Sequence, residues 1–353
     1  MTFDNPTELS SEISPTSSLE SAHLEDSVVV INLHVKTPPL TEEHKQILEQ
    51  LKNEIFAESL LQNSAYLRHY CTDRVLHQFL RARSFDLQKS KKLLMLNLEW
   101  RLKYKPDLLL ASDPDIELNA DHGKIMTESL DQYGRPILLM DGARGSSKQM
   151  SNESQIKHVF FQLERAKQLM KGDVEKYCLF INNERYSFRN SPPFSVTLEI
   201  SKTLTDRYVE HLGHAIMWQP PSLFMAMFTA VKPFLDPKTL SKIKFIKGDT
   251  SPGSENDRIM TQVVGPDWRI KCQLTELLPE MELSPGEKSN SNKKKGELYK
   301  YDHSTFWSRV IKEQQEYLQT NLIPIDDNAS LVKTAQTSAN STPVLSPNKL
   351  AVL

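Results

Sequence analysis

Glycine is scarce in this chain: eleven residues in 353. Backbone that must cradle a phosphate closely needs glycine, and neither GxxxxGK nor GxGxxG occurs. GxSxG and HExxH are absent as well, so neither a nucleophile elbow nor a zinc-protease helix is expected. No nucleophile–base set can be assembled, and the chain is read as not an enzyme. Cysteine is scarcer still. Cys71, Cys178 and Cys272 show no CxxC spacing, and an odd, sparse set argues against a disulfide framework and fits a reducing compartment. The ten histidines do not cluster like metal ligands. His211 and His214 are three apart, but Gly213 between them argues against a shared helical face, so no metal is expected.

Excess charge of one sign is also missing. A formal net charge of -2 gives no global attraction to nucleic acid, and any anion site must be local. Long apolar runs are missing too. The most apolar stretch, His214–Leu235, is broken at Pro220-Pro221 and Lys232-Pro233, short of the roughly 20 apolar residues that a membrane span needs. The first residues are acidic and Ser-rich without an apolar h-region, and the chain ends Leu350-Ala351-Val352-Leu353 without a prenylation box. These features lead to the expectation of a cytoplasmic protein that meets membranes only peripherally and reversibly.

What is present falls into blocks. Residues 1–40 are Ser/Glu/Pro-rich and read as disordered, although Val28–Val35 could pair as a strand. Residues 41–112 read as a helical subdomain. Thr41 is its first cap, and Ile47, Leu48, Leu51 and Ile55 share a face. A second helix from Thr72 or Asp73 to about Arg83 carries Val75, Leu76, Phe79 and Leu80. A third, capped by Asp86, carries Leu93, Leu96, Trp100 and Tyr104 to Pro106. Residues 113–280 alternate in character. Strands are expected at Lys124–Ser129, Pro136–Met140, Tyr177–Ile181, His214–Trp218 and Ile243–Ile246. Helices opened by Ser151, running Phe194–Val209, capped by Ser222 and starting at Asp236-Pro237 lie between them. This is the pattern of an α/β layer with substantial parallel pairing. Regular alternation fades after Pro252. Residues 281–353 read as a linker containing Lys293-Lys294-Lys295, one helix at His303–Gln319 and a disordered tail.

The segment Ala215–Ile246 carries the most information. Its helix holds Leu223, Phe224, Met225, Met227, Phe228 and Val231 with almost no polar residue on any side. Periodicity alone fits an internal helix of a large core, and it also fits a wall around flexible apolar chains, for which Met and Phe are adaptable.

Four segments in order resemble the CRAL-TRIO lipid-transfer family, especially its yeast-type phosphatidylinositol/phosphatidylcholine exchangers: FLRARSFD at Phe79–Asp86, DQYGRPILL at Asp131–Leu139, YVEHLG at Tyr208–Gly213 and PFLDPKTLSKI at Pro233–Ile243. The likeness covers about 45–280. It implies a mixed, mostly parallel sheet flanked by helices and enclosing a lipid cavity, after an N-terminal helical unit. It implies an inositol-phosphate head site at Arg83, Glu210, Thr239 and Lys242. Arg83 suits bidentate phosphate binding, Thr239 would donate its hydroxyl near the Asp236-Pro237 helix start, Glu210 would accept from inositol hydroxyls, and Lys242 would balance charge. Each has a plainer role open to it: a helix end for Arg83, a mutual ion pair for Glu210 and Lys242, an exposed position for Thr239. The resemblance makes Phe224, Met227, Phe228, Val231 and Phe234 the cavity wall and gate.

Two departures stand out. Ser84 occupies the place of a second basic residue, and Tyr177 and Leu179 replace the small hydroxyl residues that hold a choline head. The second point puts phosphatidylcholine exchange in doubt. The expected ligand is a phospholipid, phosphatidylinositol by the head-site residues, carried by a monomer that touches membranes transiently and does not bind nucleic acid. Open alternatives are a sterol or retinoid-like ligand, or a regulator that presents lipid to phosphoinositide kinases.

Overall fold

Thr41 holds an extended backbone while its hydroxyl accepts from His44 N at 3.2 Å, so helix α1 (Glu42–Phe56) starts where the sequence places it. The computed structural model describes residues 39–142, 144, 150–184, 192–274 and 301–324. The readings of the first segment with its Val28–Val35 strand, of the linker with its lysine run, and of the tail beyond Asp326 fall outside the described residues. Three helices follow α1: α2 (Ser59–Gln62), α3 (Ala65–Tyr70) and α4 (Asp73–Ala82). Thr72 caps α4, Asp86 caps α5 (Leu87–Tyr104), and Lys105 ends α5 in a left-handed conformation just before Pro106. Leu48, Leu51, Ile55, Leu76, Phe79, Leu80, Leu94 and Leu98 form one apolar cluster among these helices.

The inward face of α5 differs from the expected stripe. Leu93 is buried, but Leu96 and Tyr104 are exposed, and the buried positions are Ser90, Leu93, Leu94, Asn97, Leu98 and Arg101. The true face contains an asparagine and an arginine, so a search for apolar spacing rotates the helix by about one residue.

Helix α6 (Pro114–Ala120) leads into a five-stranded sheet in the order β1 (Ile125–Leu130), β2 (Pro136–Asp141), β3 (Tyr177–Asn182), β4 (Leu212–Trp218), β5 (Ile243–Ile246). The β1–β2 pair is an antiparallel hairpin and the other pairs are parallel. The parallel strands are joined by α7 (Asn152–Leu169), by α8 (Phe194–Asp206), and by α9 (Ser222–Val231) with α10 (Pro237–Ser241). Right-handed crossovers between consecutive neighbours place such helices on one face of the sheet. The register fits that rule. Leu138, Leu179 and Ala215 align across the sheet, and they cluster with Val159 and Leu163 of α7 and Phe224 of α9.

The opposite face carries Leu139, Phe180, Ile216, Trp218 and Ile246. Two helices that the sequence reading passed over cover it: α11 (Glu255–Val263) and α12 (Trp268–Lys271). At nine and four residues they are too short for a periodicity window. Helix α13 (His303–Thr320) packs Phe306, Trp307 and Val310 into the same cluster, and Trp307 Nε1 donates to Ala111 O at 3.1 Å.

Arg101 reaches from α5 into the α/β layer. It is fully buried, donates to Glu164 Oε1 at 3.1 Å, and lies 3.4 Å from Asp107 with its guanidinium over the Tyr70 ring. Glu164 also accepts from Lys167 at 2.6 Å and from the Tyr208 hydroxyl at 2.9 Å. Burial pushes the Glu164 carboxyl up, but Lys167 and Arg101 outweigh it and hold the group well below the usual carboxylate range. Removing one member of such a cluster strands the others without water. Arg101→Ala is therefore expected to lower unfolding free energy by about 3–5 kcal/mol, read from the shift in urea midpoint at unchanged slope. A loss below about 1 kcal/mol, the size of a surface pair, would show that the cluster is not structural.

Candidate functional site

The sheet face toward α7, α8 and α9 is not filled by side chains. Between them lies a cavity of about 650 Å³, within the 300–1,000 Å³ range of ligand pockets. Its middle is apolar: Leu179, Ala215 and Met217 from the sheet, Ile200 and Leu204 from α8, and Phe224, Met227, Phe228 and Val231 from α9. At the end formed by the N-termini of the parallel strands it is lined by Arg83, Glu210, Thr239 and Lys242. Every residue singled out from sequence reaches this one cavity, including Phe234 and the pair Tyr177 and Leu179.

The four polar residues are not equivalent. Lys242 ends α10, and its carbonyl accepts from Ala215 N at 3.0 Å, which ties it to β4. It is 5% exposed, and among the described residues its side chain has no hydrogen-bond or ion-pair partner. Burial lowers its ammonium to about 8, opposed by Glu210, reinforced by Lys176 and Lys238, and opposed again by Asp236. Glu210 has a positive φ of 61°, uncommon for a residue with a side chain, and its carboxylate is almost wholly buried against Lys238, with which it forms an ion pair. Burial pushes this carboxyl up, but Lys238, Lys242 and Lys176 hold it below its ordinary value.

Two expected roles change. The ion-pair partner of Glu210 is Lys238, not Lys242. Thr239 does not have a free hydroxyl proton, because Oγ1 donates to Asp236 Oδ2 at 2.6 Å while Thr239 N donates to Asp236 Oδ1 at 2.9 Å. Asp236 thus takes both donors in capping α10, and Thr239 presents only acceptor capacity to the cavity. Arg83 is exposed at the end of α4, and its Nη1 donates to Ala82 O at 3.0 Å, so it performs the plain helix-end role and also borders the cavity. Sequence reasoning missed Lys176 and Lys238, which complete a ring of cations around Glu210. Lys238 was legible as the residue between Pro237 and Thr239. Lys176 gave no signal beyond preceding a buried strand.

Helix α9 is apolar on every side yet lies at the surface. Phe224 and Val231 are its fully buried residues, while Ala226, Thr229 and Ala230 are exposed. The reading of an internal core helix therefore does not hold. Pro221 precedes the helix with no side-chain cap, so Ser222 is its first residue and not its cap. Around it Phe234 and Phe245 are 47% and 38% exposed, and Phe228 meets Phe245 edge-on at 5.2 Å. Among the described residues no helix is long and apolar enough to cross a membrane, and no group of three His, Cys, Asp or Glu could hold a metal ion.

Residues 120–267 match the CRAL/TRIO domain family. The chain carries a CRAL/TRIO domain. It is 32% identical over 179 residues to a CRAL-TRIO domain-containing protein of Schizosaccharomyces pombe, an alignment spanning 50% of this chain and 17% of that one. It is 24% identical over 234 residues to a phosphatidylinositol/phosphatidylcholine transfer protein of Arabidopsis thaliana, 61% of each chain. Clavesin-1 of Xenopus laevis is 25% identical over 241 residues, 66% of this chain and 70% of its own. The crystal structure of Sfh5 aligns with a TM-score of 0.48 at 14% identity, covering 62% of this chain and 84% of that one. The chain spans less than half the length of the two Schizosaccharomyces pombe relatives it matches. Within the matched segment, Glu210 precedes β4 and Lys242 precedes β5, and both line the cavity at the N-terminal ends of those strands.

Burial makes the Lys242 ammonium costlier in the folded protein than in the unfolded chain, and Glu210 and Asp236 offset only part of that cost. Its folded-state pKa lies below the unfolded value of about 10.4, so the unfolded chain binds more protons between about pH 8 and 10.4, and stability rises with pH across that window. Lys242→Met is accordingly expected to stabilise the protein at pH 7 by on the order of 2–3 kcal/mol and to remove this rise. Thermal melts at pH 7 and 9.5 test it, and a variant less stable than wild type at pH 7 contradicts an unpaired charge.

Proposed function

We propose that the chain binds phosphatidylinositol and transfers it between membranes. The observation that carries this reading is the Lys242 ammonium, buried without a protein partner at the mouth of an apolar cavity. A phosphodiester supplies the missing anion, and the acyl chains fill the apolar middle. The similarity to a phosphatidylinositol/phosphatidylcholine transfer protein of Arabidopsis thaliana supports the same ligand. Lys176, Lys238 and Arg83 add positive potential, and Glu210 and Thr239 offer acceptors to inositol hydroxyls. The Tyr177 hydroxyl has no hydrogen-bond partner among the described residues and borders the cavity, so it can meet the polar group of a second lipid even though the small hydroxyls of the dual exchangers are absent.

Transfer requires the chains to stay dry. At about 0.8 kcal/mol per CH₂, exposing two chains to water costs tens of kcal/mol. The lipid must pass directly from bilayer to cavity through a wall that is apolar on both sides, and α9 meets that condition, with Phe234 and Phe245 beside it as membrane contacts. The protein would then visit membranes reversibly from the cytoplasm as a monomer. A neutral ligand such as a sterol fits the apolar middle but leaves Lys242 unpaired, which is why the inositide reading is preferred. Presentation of the lipid to a phosphoinositide kinase would use the same site and is a question of partners.

Lys242→Ala is expected to reduce phosphatidylinositol transfer between vesicles about ten- to a hundredfold. Arg83→Ala should cost less, because its side chain is exposed and screened. Transfer of an uncharged lipid should survive both. Unchanged phosphatidylinositol transfer by Lys242→Ala overturns the assignment.

Phe228→Asp tests the gate separately. It places a charge on a surface that must be apolar with the wall closed or membrane-docked, at a cost of several kcal/mol. Transfer of every lipid should be lost while circular dichroism still reports a folded protein; normal exchange by this variant removes α9 from the mechanism.

A further inference from the structure

Lys242 differs from the surface lysines in ways that bear on its reactivity. The residue is buried, lines the cavity together with Ala215, Ile243 and Leu235, and its side chain has no hydrogen-bond or ion-pair partner among the described residues. Burial outweighs the opposing charge of Glu210, and Lys176 and Lys238 act on the amine as like charges. Desolvation and a neighbouring cation are the two conditions that turn a lysine into a nucleophile, because both favour the neutral amine. We infer that Lys242 is a nucleophilic amine that captures long-chain aldehydes or ketones from the cavity as a reversible imine.

The chemistry balances without a further reagent. The neutral amine adds to the carbonyl carbon, the C–N bond forms, and the π pair of the C=O moves to oxygen, which takes up the proton lost by nitrogen. The carbinolamine then loses its hydroxyl as water. The C–O bond breaks, the nitrogen lone pair forms the C=N bond, and the second N–H proton leaves with the hydroxyl. Amine plus carbonyl gives imine plus one water, with no oxidation or reduction. The charged groups that act on this amine are Glu210, Asp236, Lys176 and Lys238. The Glu210–Lys238 ion pair lines the same cavity and supplies a carboxylate and an ammonium that could accept and return protons. The apolar cavity holds the alkyl chain and keeps bulk water from hydrolysing the product.

Phosphate binding and carbonyl capture use opposite protonation states of the same atom. A phosphodiester needs the ammonium and the carbonyl needs the amine, so the two ligands compete and separate with pH. With the ammonium lowered to about 8, a substantial share of the amine is neutral just above neutrality.

The test incubates the full chain with hexadecanal and sodium cyanoborohydride, which reduces an imine to a stable secondary amine, and maps the adduct by peptide mass spectrometry. The expected result is modification at Lys242 faster than at any other lysine by on the order of tenfold. The rate should level off above about pH 8. Vesicles of phosphatidylinositol should suppress it. Lys242→Arg, which keeps the charge but cannot form the imine, should lose that adduct while circular dichroism reports a folded protein. Adducts spread over lysines in proportion to their exposure, or an unchanged adduct yield in Lys242→Arg, would overturn the inference. Phosphatidylinositol transfer is measured on the same preparations. Transfer without a Lys242 adduct leaves the inositide reading standing and removes this one, and an adduct without transfer does the reverse.

Discussion

One buried carboxylate fastens the helical unit to the α/β layer that holds the cavity. Glu164 accepts from Arg101 of α5, Lys167 of its own helix α7 and the Tyr208 hydroxyl just before β4. Tyr208 also lines the cavity, two residues before Glu210. The cluster therefore sets where the Tyr208–His211 corner stands, and with it the backbone that holds Glu210 at positive φ. Ionic groups this deep are stable only while all their partners are present. That requirement makes this side of the cavity a fixed wall, and it leaves adaptation to the side built by α9.

The two faces of the sheet show the same division. Away from the cavity, Phe180, Ile216 and Trp218 meet Trp268, Phe306 and Trp307 in a filled core, with Trp218 and Trp268 ring centroids 5.3 Å apart. Toward the cavity the strands present mainly aliphatic and sulfur side chains, Leu179, Ile181, Ala215, Met217 and Ile243, with Tyr177 the aromatic among them. Strand alternation gives both faces from the same segments. Helix α9, with neither a side-chain cap nor a charge, packs toward the sheet through an apolar cluster that includes Phe224, Met227 and Phe228. Such contacts can be exchanged for lipid contacts at little cost, which on the proposed reading is what transfer asks of it.

What was legible in the sequence follows from this physics. Caps at Thr41, Thr72, Asp86 and Asp236 and the strands of the sheet could be placed because each depends on a residue and its near neighbours. The cavity residues could be gathered only through ordered motifs, since Arg83 and Lys242 are far apart in sequence and nothing local connects them. Arg101 and Asn97 on the inner face of α5 were missed because a polar residue that is buried looks like one that is exposed until its partner is known. Lys176 was missed for the same reason. The role of Thr239 was misjudged because Asp236, three residues earlier, competes for its hydroxyl, a local contest that a motif of residue types does not record.

The head site also shows how a protein can keep a charge where its own structure does not pair it. Burial and two neighbouring lysines destabilise the Lys242 ammonium, and Glu210, already paired with Lys238, offsets only part of that cost. On the proposed reading an anionic head group lowers that penalty when it binds, and the relief contributes to its binding free energy. Binding must then raise the pKa of Lys242 and, near pH 8, take up protons. A neutral ligand gives no such return and must bind through its apolar surface alone. On the proposed reading, discrimination between charged and uncharged lipids rests less on a close fit around the head than on a buried ammonium that lacks a hydrogen-bond or ion-pair partner among the described residues.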